Sequence, residues 1–267
     1  MDSFCRWMAS HHKLVRTVLP VLLGLGIAML ILRFDFPYLL AFLLIIPCSV
    51  LLVTALVSCG GRFLNRALRI MMDQCDPYPF LHELQTQLSY GYAPGYELTL
   101  RLNLATALYN TGSAQVALNV MKLIPIEKTG RANSLVKAMY YNNLTTFSSQ
   151  MGDTAGAEDA YDKFLELANG KATKALEKHY PQLMPLAEAG HLYRMGEYAA
   201  ALEKCRSVPL NTAYDRVSNA CFRARCAIAL EDQDTARREL NYVIAHGNKL
   251  AMVQDAWAML KKLDLED

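Results

Sequence analysis

Two hydrophobic patterns divide the chain. Near the N-terminus apolar residues come in long uncharged runs, Thr17 to Leu32 (TVLPVLLGLGIAMLIL) and Phe36 to Ser58 (FPYLLAFLLIIPCSVLLVTALVS). Further along, apolar positions recur at helical spacing between polar ones. Gly112, Gly152 and Gly196 each end one helix-like run and start another. Val and Ile thin out after residue 60 while Leu, Ala, Tyr and Asn recur, the composition of helices rather than strands. The pattern predicts an all-α chain: a two-helix hairpin over residues 1–60, a connecting region over 61–94 and a repeated helical domain over 95–267.

The first run, at ~1.5 Å per residue, reaches about 24 Å, slightly short of a ~30 Å hydrocarbon core. Lys13, Arg16 and Arg33 flank it and can extend outward to make up the difference. The second run is long enough even with Pro47 inside it, because a proline kink is tolerated in lipid-buried helices. Only RFD separates the two, so they form an antiparallel hairpin of transmembrane spans at about 15–33 and 36–58. A cleaved signal peptide is disfavoured: no small-residue cleavage site follows the first run, and a second run begins at once. Arg6, Lys13 and Arg16 precede the first span and Arg62, Arg66 and Arg69 follow the second. The positive-inside rule then places both termini and the repeat domain in the cytoplasm, with the chain integral to the plasma (bacterial inner) membrane. Gly24 and Ala28 are small enough to let the two helices approach. Arg62, Arg66 and Arg69 share one helical face beyond the second span. Two readings of that face stand, a site for lipid headgroups and a plain positive anchor. Next, Asp76 and Pro77 supply an N-cap and a first helical position for one further helix.

The three glycines sit in a common frame. Five residues after each stands alanine: Ala117, Ala157, Ala201. Nine after come Met121, Tyr161 and Cys205, and twelve after come Ile124, Phe164 and Val208. Seven before each is a small residue: Ala105, Thr145, Ala189. This frame resembles the tetratricopeptide repeat (TPR), a helix–turn–helix of about 34 residues, over roughly residues 95 to 246. Small residues at the crossing let two helices pack closely, and glycine supplies the positive-φ stop. A fourth unit fits less well, with Gln233 in the glycine slot and Arg238 in the alanine slot. The glycine slots then lie 40, 44 and 37 residues apart, and the extra residues are read as longer leading helices. The segment LAMVQDAWAMLKKL reads as a capping helix. With the N-terminal hairpin, the whole resembles membrane-anchored bacterial members of the TPR family: a hairpin, then an α-solenoid of three to four repeats.

The resemblance implies a function. In TPR domains the first helices line a concave groove that receives a peptide or a partner's helix. Carried onto this chain, the groove is lined by Asn103, Thr106, Tyr109 and Asn110 in the first unit, and by Asn142, Asn143 and Gln150 in the second. Tyr193 and Arg194 follow from the third and Arg223 from the fourth. Asparagine amides both donate and accept, and tyrosine adds contact area with little entropy loss. For Asn103 and Asn143, plain surface polarity stands beside peptide contact. The carboxylate-clamp variant needs basic residues where Leu183 and Ala187 stand, so that role is unsupported. The expected role is a membrane-anchored scaffold or adaptor for a protein or peptide partner, with self-association left open. The alternative is a regulatory or assembly subunit of a membrane complex, held mainly through its hairpin.

Charge and chemistry narrow the picture further. The formal net charge is +2 with no basic block, which argues against nucleic acid. The stretch MGDTAGAE (151–158) resembles the phosphate-sensing turn of small GTPases. Yet the chain lacks G-x-x-x-x-G-K-[ST], and Ala251 stands where N-K-x-D requires aspartate, so no nucleotide is expected. The six histidines show no metal-binding spacing, no C-x-x-C pair occurs among seven cysteines, and no G-x-S-x-G elbow is present. No cofactor, metal or catalytic residue is assigned, the chain is read as a non-enzyme, and the cysteines are read as buried thiols.

Overall fold

Leu-, Ala- and Tyr-rich runs punctuated by glycine fold as their composition dictates: every regular element among the described residues is an α-helix. The computed structural model describes residues 2–34, 38–92, 94–126 and 134–266, and within 16–57 only some side chains are described. The chain divides into two compact units, Met1–Arg66 with Gln85–Tyr92, and Ala67–Leu84 with Ala93–Asp267.

The first unit is built on α1 (Asp2–Ser10), α2 (His12–Phe34) and the N-terminal part of α3 (Tyr38–Gln74). The His11 N–H donates to Trp7 and the Val15 N–H to His11, so the helical ladder bridges α1 and α2. The end of α4 (Tyr78–Ser89) also belongs here. Its buried Gln87 donates from Nε2 to the Gly60 carbonyl at 2.8 Å, and the His12 ring stacks on Tyr92 at 4.4 Å between centroids.

This unit carries the main correction to the sequence reading. Among the described residues, no helix is long and apolar enough to cross a membrane. That overturns the expected spans at 15–33 and 36–58 and, with them, the integral inner-membrane placement with cytoplasmic termini. Crossing requires about 20 predominantly apolar residues in one helix. The charges read as the borders of the spans lie inside the helices instead: Lys13, Arg16 and Arg33 in α2, and Arg62, Arg66 and Arg69 on the exposed side of α3. Among the described residues, a Cβ placed on Gly24 meets nothing within 4 Å. Much of the two uncharged runs, and the turn at 35–37, lies outside the residues whose side chains are described.

The second unit is a series of helix pairs: α5 (Pro94–Asn110) with α6 (Ala114–Lys122), and α7 (Ser134–Gln150) with α8 (Thr154–Ala168). After the short α9 (Thr173–His179) come α10 (Leu183–Arg194) with α11 (Tyr198–Arg206), and α12 (Ala213–Ala229) with α13 (Gln233–His246). The last helix, α14 (Met252–Glu266), packs on α13. The extra residues before the third leading helix thus form α9 rather than lengthening α10. Those before the second include 127–133, which lie outside the described residues.

All four pairs turn in the same way. The N–H groups of Ser113, Asp153, Glu197 and Asp232 donate to Leu108, Ser148, Leu192 and Ala227, each at 2.9 Å. The residue before each donates to the carbonyl three positions back. This is the Schellman arrangement, in which the C′ residue takes a left-handed conformation. That residue is Gly112, Gly152 or Gly196 in the first three turns, with φ from 75° to 88°, and Glu231 in the fourth, with φ 60°. The fourth unit therefore starts its count at Glu231, two residues before Gln233. Counted so, its slots match the others: Ala224 seven before, Ala236 five after, Leu240 nine after and Val243 twelve after, all fully buried. They equal Ala105, Ala117, Ala157, Ala189 and Ala201, each with no exposed surface. Arg238 lies on the solvent side, its side chain 67% exposed.

The beginning and end of this unit are joined directly. The Ala251 N–H donates to the Asn110 carbonyl at 2.9 Å, and the Lys249 N–H to the Cys75 carbonyl at 3.2 Å. Asn248 donates to the Gln74 carbonyl, and Lys249 pairs with Asp76 at 2.6 Å. Asp76 also accepts from the Tyr78 N–H, as its expected capping role requires.

Candidate functional site

The leading helix α7 neighbours both α5 and α10, and side chains of α5 and α7 engage each other. Asn143 donates from Nδ2 to the Thr106 hydroxyl at 3.1 Å, and Tyr109 stacks on Phe147 at 4.7 Å. Tyr193 meets Tyr198 edge-on at 5.2 Å and Phe222 at 5.4 Å. Asn103 and Asn142 are half-buried on the same helices. Asn110 is buried and donates to the Thr106 carbonyl, so it serves the fold.

Two arginines expected in the groove act as struts between helices. Arg194 donates from Nε to Glu158 of α8 at 2.5 Å, with a side chain only 9% exposed. His191 approaches the other Glu158 oxygen at 2.9 Å while its ring stacks on Tyr161. Burial works to raise the Glu158 carboxyl, but the hydrogen bond and charge of Arg194, with His191, outweigh it and hold the carboxyl below its ordinary value. Arg223 pairs with Glu239 of α13 at 2.6 Å. It stands eight residues before its turn and Glu239 eight after, the slots that Glu188 and Lys204 fill with opposite signs at 2.6 Å in the third unit.

A further basic residue of the leading helices is Arg225, which the two-residue offset of the fourth unit concealed. It occupies the position of Thr106 and Thr146 in the corrected frame. Its Nη1 donates to Gln150 Oε1 at 3.0 Å, and its Nη2 reaches Asp255 at 3.5 Å. Burial disfavours its charge, yet the neighbouring Cys221, Tyr109, Asp255 and Tyr193 together raise its pKa. Burial likewise pushes the Tyr109, Tyr193 and Cys221 groups up. Gln150 of α7 and Asp255 of α14 thus hold one guanidinium of α12 between them. That arrangement has the chemistry to hold a carbonyl or carboxylate of a bound chain.

The GTPase-like stretch has a plain explanation. Asp153 caps α8 by accepting from the Gly156 N–H at 2.9 Å. A Cβ at Gly156 would collide with the Asp153 carboxylate, so this glycine makes room for the cap rather than for a phosphate. Among the described residues no three His, Cys, Asp or Glu side chains gather to hold a metal. No family model, curated protein or solved structure matches the chain.

Proposed function

We propose that the second unit is a TPR-like solenoid that works as an interaction scaffold, receiving a peptide or helix of a protein partner along its leading helices. The observation that carries this reading is the fourfold repetition of one turn, which brings equivalent polar positions of successive leading helices into one row. Asn103, Asn142, Asn143 and Gln150 offer amides, Tyr193 offers a ring, and Arg225 offers the charge. Gln150 and Asp255 are exposed, so they can yield Arg225 to a partner's carboxylate without unfolding anything. A photo-crosslinking residue placed at Asn142 or Tyr193 should capture partner protein in living cells. One at Gln115 or Lys163, both exposed on second helices, should not. Equal capture from both sets refutes the groove.

A second reading, an assembly subunit held through its N-terminal helices, is favoured by one observation. Leu14, Val18, Val21, Leu25 and Met29 follow helical spacing on α2 and are all exposed. Capture through crosslinkers on α2 alone would select it.

A further inference from the structure

Within the first unit, α1 meets α3 along two successive turns of the longer helix. Cys59 and Phe63 stand four residues apart, on one face of α3, and Cys5 and Arg6 meet them from α1. The Arg6 guanidinium lies 3.9 Å from the Phe63 ring centroid, a cation–π contact. Beside it the Cys59 thiol donates to the Cys5 sulfur at 3.1 Å. A disulfide bond measures ~2.05 Å, so the sulfurs have about 1 Å left to close. Met8 and Val15 of the same unit are buried against each other.

The two thiols differ in access. Cys5 is buried and Cys59 is partly exposed, so a small solute reaches Cys59 first and Cys5 waits behind it. Cys205 and Cys226 of the second unit are both buried, and burial drives their thiols up to about 11 and about 12. Burial, and then the hydrogen bond to Cys5, push the Cys59 thiol up as well, against the nearby Arg62, so its attack as thiolate quickens as pH rises.

We propose that Cys5 and Cys59 are an oxidation site whose two thiols close into a disulfide that fastens α1 to α3. With a peroxide as oxidant, the Cys59 thiolate attacks one peroxide oxygen. The O–O bond breaks, hydroxide leaves, and Cys59 becomes a sulfenic acid. The Cys5 sulfur then attacks the Cys59 sulfur, the S–O bond breaks, and the hydroxyl group leaves with the Cys5 proton as water. Two thiols lose two electrons and two protons, and one hydrogen peroxide becomes two waters. In the reduced state α1 is held by noncovalent contacts alone. In the oxidised state α1 and the exposed Phe4 and Trp7 upon it are fixed in place.

The test uses the full chain, purified reduced and exposed to dilute hydrogen peroxide. Free thiols are then alkylated, and peptides are mapped by mass spectrometry without reduction. The expected product is a monomer lighter by two hydrogens, with Cys5 joined to Cys59, fully reversed by dithiothreitol. Tryptic cleavage after Arg6 and Lys13 should slow several-fold on oxidation. Cys59→Ser should abolish the product and leave Cys5 unmodified, and mapping of the unaltered chain tests the linkage even where a variant folds poorly. Disulfide-linked dimers, linkage of Cys59 to another cysteine, or oxidation of Cys59 to the sulfinic acid without a cross-link would each overturn the proposal.

Discussion

Replacing Glu231 by glycine tests the repeat frame at the point where it was least visible. Glu231 holds φ at 60°, a conformation that costs an L-residue roughly 1–2 kcal/mol. Glycine avoids that cost but loses ~0.5–1 kcal/mol through its greater freedom in the unfolded chain. The Glu231 side chain is exposed and makes no ion pair among the described residues, so the exchange removes no contact. The balance makes Glu231→Gly more stable by about 0.5–1 kcal/mol. For a unit of this size that raises Tm by roughly 1–4 °C. Urea denaturation should show a higher midpoint with an unchanged slope. Glu231→Ala should bring little gain, because alanine meets the same strain. Gln233→Gly is the counter-test. Gln233 opens α13, and glycine there costs up to ~1 kcal/mol. A gain from Gln233→Gly with none from Glu231→Gly would refute the frame.

Three further outcomes follow from the same contacts. Ala236→Leu should destabilise by ~1–3 kcal/mol through overpacking, as should Ala157→Leu, whereas Arg238→Ala should change stability by less than about 0.5 kcal/mol; chemical denaturation separates them. Arg223→Ala removes the shorter of the two arginine contacts to the buried Glu239, leaving only Arg238 at 3.5 Å, and should cost about 1–3 kcal/mol with partner binding retained, while Arg225→Ala should weaken partner capture and leave the denaturation midpoint nearly unchanged. The Glu158 carboxyl titrates lower in the folded chain than in the unfolded one. Its stabilising contribution is therefore complete above its unfolded value near 4.5 and disappears as pH falls through the folded value. Glu158→Gln should flatten this acid limb in a stability–pH profile, and an unaltered limb would show that other carboxylates carry it.

The parts of the fold that could be read from residues alone are those where one residue type has one physical use. Glycine before a polar cap marks a left-handed stop, and alanine five positions later marks a crossing, so three turns were legible directly. The fourth was hidden because Glu231 tolerates the left-handed conformation without advertising it. With the count started at Gln233, Arg223 falls in the slot of Asn142, and Arg225 is hidden in that of Leu104 and Leu144. Arg194 has the right position for a groove residue, but its partner Glu158 lies 36 residues away, and no local pattern announces that pairing. The Cys5–Cys59 contact is likewise long-range, joining residues 54 apart. Uncharged length in α2 and α3 reads as spanning length, an inference that composition invites and that the described helices do not bear out.

The hydrogen bonds from Asn248, Lys249 and Ala251 to Gln74, Cys75 and Asn110 have a thermodynamic consequence. In an open row of repeats each member touches only its neighbours, so terminal units melt before central ones. Here the last helices cannot release without also releasing the carbonyls at the beginning of the row. The first and last pairs are thereby coupled into one foldon. Amide exchange in α5 and α14 should report a common opening free energy, and breathing of the row by uncoiling from either end is suppressed.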